Sequence, residues 1–159
     1  MAVTRLRAPF LDTSVLIGGL IEFGSKVKSA QRILSAVADG EVKGAQTAWH
    51  CCLEFFAVCT RLPEEFRLSP PDALCLLENE ILGRLAIHQL PSGRRAEFLR
   101  AAAGDGLVGG RIYDAHIAEI AYAAGAKLLL TDNPRHFQGL AARGVKIASS
   151  AEFAAALGR

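Results

Sequence analysis

Short apolar runs alternate along the chain with stretches whose apolar positions recur at helical spacing. Ala8-Pro9-Phe10-Leu11 and Lys127-Leu128-Leu129-Leu130 read as buried strands, and each stops at an acid, in Asp12-Thr13-Ser14 and Thr131-Asp132-Asn133. A short helix is expected from Thr13 to about Leu20, ending at the break Gly24-Ser25. A second carries Val27, Ala30, Ile33, Leu34 and Val37 on one face and stops at Asp39-Gly40. An extended piece over Val42 to Ala45 precedes a long helix from Thr47 to Leu62, with Trp49, Leu53, Phe56, Ala57 and Thr60 expected on the core face and Glu54 pointing away from it. Pro63 stops that helix, and Ser69-Pro70-Pro71-Asp72 starts another. Leu85 to His88 is expected as a central strand, Gly93 to Ala103 as a helix, and Arg111 to Ala124 as a helix feeding the strand at 127–131 through Gly125-Ala126. Val145-Lys146-Ile147 is the last strand, before a short alanine-rich helix. Such alternation predicts a mostly parallel sheet covered on both faces.

This pattern gathers acids. Asp12 and Asp132 follow carboxyl ends of strands, the edge outside which open α/β sheets keep their ligand crevice. Asp114 opens a helix running antiparallel to the strand it feeds, so its start lies beside that strand's carboxyl end. Glu54 lies on a further helix. Singly, each has an ordinary explanation: Asp12 and Asp132 as helix caps, Asp114 as a partner of the helix dipole, Glu54 as a solvated position. Together they call for a positive charge, because like charges brought close destabilise the empty fold. Oxygen-only ligands suit Mg²⁺ or Mn²⁺ rather than zinc, and such an ion can polarise a phosphoryl oxygen.

Composition narrows the class. At 159 residues the whole chain, 1–159, is expected to be a single domain; 51% hydrophobic and 7% aromatic residues with a mean hydropathy of +0.25 describe a well-buried α/β protein. A net charge of +2 does not announce a nucleic-acid partner, so positive charge for one must be gathered locally. Cys51, Cys52, Cys59 and Cys75 lack paired metal-site spacing and read as free, mostly buried thiols of a reducing cytoplasm. Arg5 and Arg7 before an apolar stretch faintly imitate a signal peptide, but Asp12 interrupts it, and no window approaches a membrane span. A soluble, cytoplasmic protein is expected. There is no Gly-x-Ser-x-Gly, no phosphate loop with Gly-Lys-Ser/Thr, and no Gly-x-Gly-x-x-Gly after the first strand. His88, His116 and His136 read as packing or surface groups.

Phe10-Leu11-Asp12-Thr13-Ser14-Val15-Leu16-Ile17, the helix Ala48 to Leu62 with Glu54-Phe55-Phe56-Ala57-Val58, Gly110 to Ala118 around Asp114, and Leu129 to Phe137 around Asp132-Asn133 resemble, in order, the motifs of PIN-domain ribonucleases. Among these the chain is most like the VapC-like toxins of toxin-antitoxin modules. The resemblance implies a three-layer α/β/α fold, with Asp12, Glu54 and Asp114 as an acidic triad for Mg²⁺ or Mn²⁺. The fourth polar position falls on Asp132 or neighbouring Asn133, of which Asp132 is the harder ligand. It also implies an RNA substrate, a homodimer, and a small antitoxin that covers the site. Thr13 or Ser14 would hold a water, Arg111 would touch phosphate, and Arg61, Arg94, Arg95 and Arg135 would add to an RNA path. Two rival readings are a non-catalytic PIN-like scaffold that binds a protein partner and an acid-cluster phosphatase of the haloacid dehalogenase kind. The phosphatase needs Asp-x-Asp where this chain reads Asp12-Thr13-Ser14.

Overall fold

The computed structural model describes residues 8–23 and 28–158. The expected break at Gly24-Ser25 and the position of Val27 lie outside these residues. Five short strands, β1 (Phe10–Leu11), β2 (Gln46–Ala48), β3 (Ala86–His88), β4 (Leu128–Leu130) and β5 (Lys146–Ala148), form one parallel sheet in the order β3-β2-β1-β4-β5. Helices cover it to give a three-layer α/β/α fold: α1 (Thr13–Leu20), α2 (Lys28–Ala38), α3 (Trp49–Cys59), α4 (Pro70–Leu76), α5 (Arg95–Gly104), α6 (Arg111–Ala123), α7 (Gln138–Ala141) and α8 (Ser150–Leu157). The α4 helix continues as a π-helical segment, Leu77–Leu82, closed at Gly83. Among the described residues no helix is long and apolar enough to cross a membrane.

Strand composition explains the centre. Phe10, Leu11, Leu129 and Leu130 are fully buried, as expected where helices cover both faces of a parallel sheet. The chain builds outward from β1 through β2 to β3, then crosses back to place β4 on the other side of β1. The winding therefore reverses between β1 and β4, and the carboxyl ends of these neighbours frame the crevice that such a reversal leaves open. Two local devices hold the helices in place. A Cβ at Gly19 would stand 2.6 Å from Leu34, so only glycine lets α1 approach α2 this closely. Gly125, at φ +74°, ends α6 in the left-handed conformation while Ala126 N–H bonds Ala121 C=O, turning the chain directly into β4.

Three expectations need correction. Strand β2 begins at Gln46 and α3 at Trp49, so Thr47, expected to open the helix, lies in the strand, and Val42 to Ala45 precede it. The segment at 86–88 is an edge strand, not a central one, with Ala86 exposed. Helix α3 buries Cys51, Cys52, Phe55 and Cys59, while Trp49 and Leu53 are 41% and 57% exposed. The cysteines behave as small apolar groups in the core, which rotates the helix relative to the expected face and leaves Glu54 half-buried.

Candidate active site

The parallel register pairs Phe10 with Leu129 and Leu11 with Leu130, so the next residues, Asp12 and Thr131, leave the sheet side by side. Asp12 takes the N-cap position of α1, yet its carboxylate makes no cap bond. It instead accepts hydrogen bonds from the Thr131 hydroxyl at 2.8 Å and the Ser14 hydroxyl at 2.9 Å. Ser14 Oγ accepts the Asp132 N–H, and Thr131 Oγ1 accepts the Asn133 N–H, both at 3.0 Å. Two hydroxyls thus tie the ends of β1 and β4 together around one acid. Asp12 is only 4% exposed. Burial pushes its carboxyl up, the Thr131 and Ser14 hydroxyls pull it down, and the charge of Glu54 adds to the rise.

Glu54 reaches the same place from α3, whose buried cysteine face fixes its direction. His50, one turn earlier, sets Nε2 3.5 Å from the Glu54 carboxylate. That contact holds Glu54 below the usual carboxylate range against the opposing effect of burial, and the positive charge of Arg61 works in the same direction as His50. Asp114 comes from the first turn of α6 and meets His136 Nδ1 at 2.9 Å. Burial raises its carboxyl; His136 lowers it, and Glu54 raises it further. Since the Glu54 charge is felt at both Asp12 and Asp114, β1, α3 and α6 bring their three acids into one field.

Asp132 faces elsewhere. Its carboxylate accepts the Ser150 backbone N–H at 2.9 Å and the Ser150 hydroxyl at 2.8 Å, joining the end of β4 to the start of α8. Asn133 is exposed and contributes its N–H to Thr131. Thr13 is buried, and its hydroxyl is close enough to Glu54 to favour the ionised acid, but it has no partner of good hydrogen-bond geometry. Arg111 is exposed at the start of α6, without an ion pair among the described residues, and Arg135 is exposed on the 3-10 turn Pro134–His136. Arg94 is engaged: it meets Glu119 at 2.6 Å, as does Arg143.

The donor chemistry fits a hard divalent cation. The acids offer oxygen, and the unpartnered Thr13 hydroxyl is a buried polar atom of the kind that an ion or its water satisfies. Among the described residues, however, no three His, Cys, Asp or Glu side chains form a ready-made metal cluster. His50 and His136 each contact one acid, and hydroxyls hold another.

The histidines are what the sequence pattern underrated. His136 and His116 read as packing or surface groups, and His50 drew no notice. His136 is at the surface and also contacts Asp114, His116 packs against Phe98, and His50 links Glu54 to His116, with Nδ1 atoms 2.9 Å apart. Only one signal was available, the four-residue spacing of His50 and Glu54 on a helix.

The model of the PIN domain family matches residues 9–135. The chain is 35% identical over 123 residues to ribonuclease VapC27 of Mycobacterium tuberculosis, spanning 77% of this chain and 82% of that protein. Ribonuclease VapC40 of the same organism is 31% identical over 122 residues, 76% of this chain and 84% of its own length. Among solved structures, VapBC2 from Rickettsia felis bound to a DNA fragment from its promoter shares the fold at a TM-score of 0.59 and 16% identity, covering 89% of this chain and 98% of that one. VapBC-1 from nontypeable Haemophilus influenzae does so at 0.60 and 13%, covering 91% and 98%.

Proposed function

The chain belongs to the PIN domain family, and from that premise we propose that it is a ribonuclease dependent on Mg²⁺ or Mn²⁺ and the toxin of a toxin-antitoxin pair. The observation that carries this reading is the convergence of Asp12, Glu54 and Asp114 from β1, α3 and α6 at the reversal point of the sheet, beside the unpartnered hydroxyl of Thr13. The ribonuclease names of the relatives and the VapBC structures support it.

The reaction is hydrolysis of an RNA phosphodiester: water adds to phosphorus and the bond to the leaving ribose oxygen breaks. When bound, the divalent ion supplies Lewis acidity toward the phosphoryl oxygen and makes the attacking water more acidic. The chain's own residues provide placement and charge. Asp12 is fixed before any ligand arrives, because Thr131 and Ser14 lock its orientation. Glu54 is kept ionised by His50. Asp114, paired with His136, completes the negative field and would be one of the residues to hold the ion. Thr13 or Ser14 would hold a water, and of the two only the Thr13 hydroxyl is without a partner among the described residues. Arg61, whose charge reaches Glu54, and exposed Arg111 and Arg135 offer phosphate contacts. Asp132, whose carboxylate accepts two hydrogen bonds from Ser150, is assigned to the rim of the site in this reading. A cytoplasmic homodimer, silenced by a small antitoxin laid over the acids, completes the reading.

Purified protein should cut a mixed single-stranded RNA with Mg²⁺ or Mn²⁺ and stop when chelator is added. Cleavage that survives chelation, or none with any metal and RNA, overturns the reading.

A further inference from the structure

Next to the acids the fold opens a cavity of about 410 Å³ lined in equal parts by leucines and isoleucines and by rings: Trp49 and His50 from α3, Phe98 from α5, Tyr113 and His116 from α6. Trp49 and Tyr113 remain 41% and 56% exposed, although burying such rings is strongly favourable. The His50 ring lies 5.5 Å from that of Tyr113 and 5.0 Å from that of His116, and Phe98 lies 5.5 Å from His116. The cavity and the acid site share a wall. His50 faces the cavity and its Nε2 faces Glu54, while Tyr113 precedes Asp114 in α6. Two groups with hydrogen-bonding edges, Gln89 and Arg95, also line it. Arg95 bonds the Leu90 carbonyl through Nε, and its other N–H groups make no hydrogen bond among the described residues.

Resting on the ribonuclease reading, we propose that this cavity receives one unstacked nucleobase of the RNA beside the scissile phosphate, and so sets base preference at the cut. Trp49 and Tyr113 supply flat faces for stacking, which any base can use; Gln89 and Arg95 supply the edge contacts that distinguish one base from another. Charge decides between this occupant and an apolar protein helix. A leucine-rich helix seated here would cover the Arg95 guanidinium with nothing to pair it, whereas the edge of a base offers it acceptors. The shared wall decides the register, because a base held against His50 leaves its backbone next to Glu54 and Asp114.

Trp49 is the only tryptophan in the chain, so its fluorescence reports occupancy of the cavity directly. The full chain, in chelator so that no RNA is cut, is titrated with single-stranded RNA heptamers of each base and with an abasic ribose-phosphate heptamer. RNA that carries bases should quench Trp49, with affinity differing among the four bases, and the abasic chain should not. Tyr113→Leu and Arg95→Gln, both at exposed positions, should keep the wild-type melt, weaken the quenching titration about ten-fold, and shift the cut-site distribution when Mn²⁺ is added. Quenching equal for abasic and base-bearing chains, or variants with unchanged affinity and cut sites, overturns the proposal. A protein that cleaves RNA while Trp49 stays blind to bases sinks the base pocket alone and leaves this face to a protein partner. One whose Trp49 binds bases but that cuts nothing sinks the ribonuclease reading instead.

Discussion

Ser150 donates both its backbone N–H and its hydroxyl to the carboxylate of Asp132, at 2.9 and 2.8 Å. Asp132 therefore acts as a side-chain cap on α8 delivered from the end of β4, supplementing the capping box that Ser149 and Glu152 form at the same helix start. Asp132→Ala should lower the melting temperature with or without metal, by about 1 kcal/mol of stability, the usual cost of a lost cap. Cleavage should persist at a substantial fraction of the wild-type rate. Thermal melts beside a cleavage assay check this, and a variant that melts normally but is inactive would make Asp132 a ligand after all.

Asp12→Asn and Glu54→Gln should behave in the opposite way. Each swap keeps the shape and removes a charge from the shared field, so activity should fall by orders of magnitude while the fold survives. Single-turnover cleavage with saturating Mn²⁺, compared with circular dichroism of the same samples, is the measurement. Near-native cleavage by Glu54→Gln would reduce Glu54 to a half-buried helix residue held by His50. In cells the active protein should arrest growth, the Asp12→Asn variant should not, and a protein encoded beside it should restore growth.

Why the place of Asp12 at a strand tip is legible in the sequence and the Ser150 contact of Asp132 is not follows from where their partners lie. A run such as Phe10-Leu11 ended by an acid announces a buried strand and a carboxylate at its tip, and the helix-turn-strand unit from Arg111 to Leu130 places Asp114 by geometry alone. The partner of Asp132 is Ser150, 18 positions on, beyond a whole αβ unit, and no local pattern encodes that contact. The face of α3 was hidden for another reason. Trp49, Cys51, Cys52, Leu53, Phe55, Phe56, Val58 and Cys59 surround the helix with apolar groups, so periodicity defines no unique buried stripe. Likewise β3 looks like any short apolar strand, and only the crossover that puts β4 beyond β1 makes it an edge.

The cysteines separate by burial. Desolvation raises Cys51 to about 12 and both Cys52 and Cys59 to about 11, whereas Cys75 is exposed. Thiolate is the reactive form, so a water-soluble thiol reagent at neutral pH should label Cys75 quickly and leave the other three untouched until the protein unfolds. Mass spectrometry of a timed reaction reads this out. Early labelling of Cys51 would mean that α3 does not pack as described and would displace Glu54 with it.

The acids also set how stability depends on pH, in opposing directions. Asp12 and Asp114 have folded pKa values above their unfolded ones, mainly through burial. Such groups stabilise the fold below the unfolded pKa, and that contribution is lost as pH rises through the folded pKa. Glu54, lowered mainly by His50, adds stability above its unfolded value and loses it as pH falls through its folded pKa. For the metal-free protein at neutral pH, Asp12 is thus a net cost, since burial beside Glu54 disfavours its ionised form and only hydroxyls offset this. Asp12→Asn should raise the melting temperature in chelator at pH ~7 by about 0.5–2 kcal/mol of stability, roughly 2–4 °C per kcal/mol for a chain of this size. The gain should shrink as pH falls through the raised pKa of the wild-type carboxyl, which then takes up a proton and no longer bears the cost. Saturating Mn²⁺ should reverse the order at neutral pH, because an ion that binds only the native state stabilises the wild type by mass action and the variant much less. Melts of both proteins across this pH range, with chelator and with Mn²⁺ at fixed salt, decide it. If Asp12→Asn melts lower than wild type in chelator at pH ~7, the Thr131 and Ser14 hydrogen bonds to the charged acid outweigh its burial, and Asp12 is a structural anchor before it is a ligand.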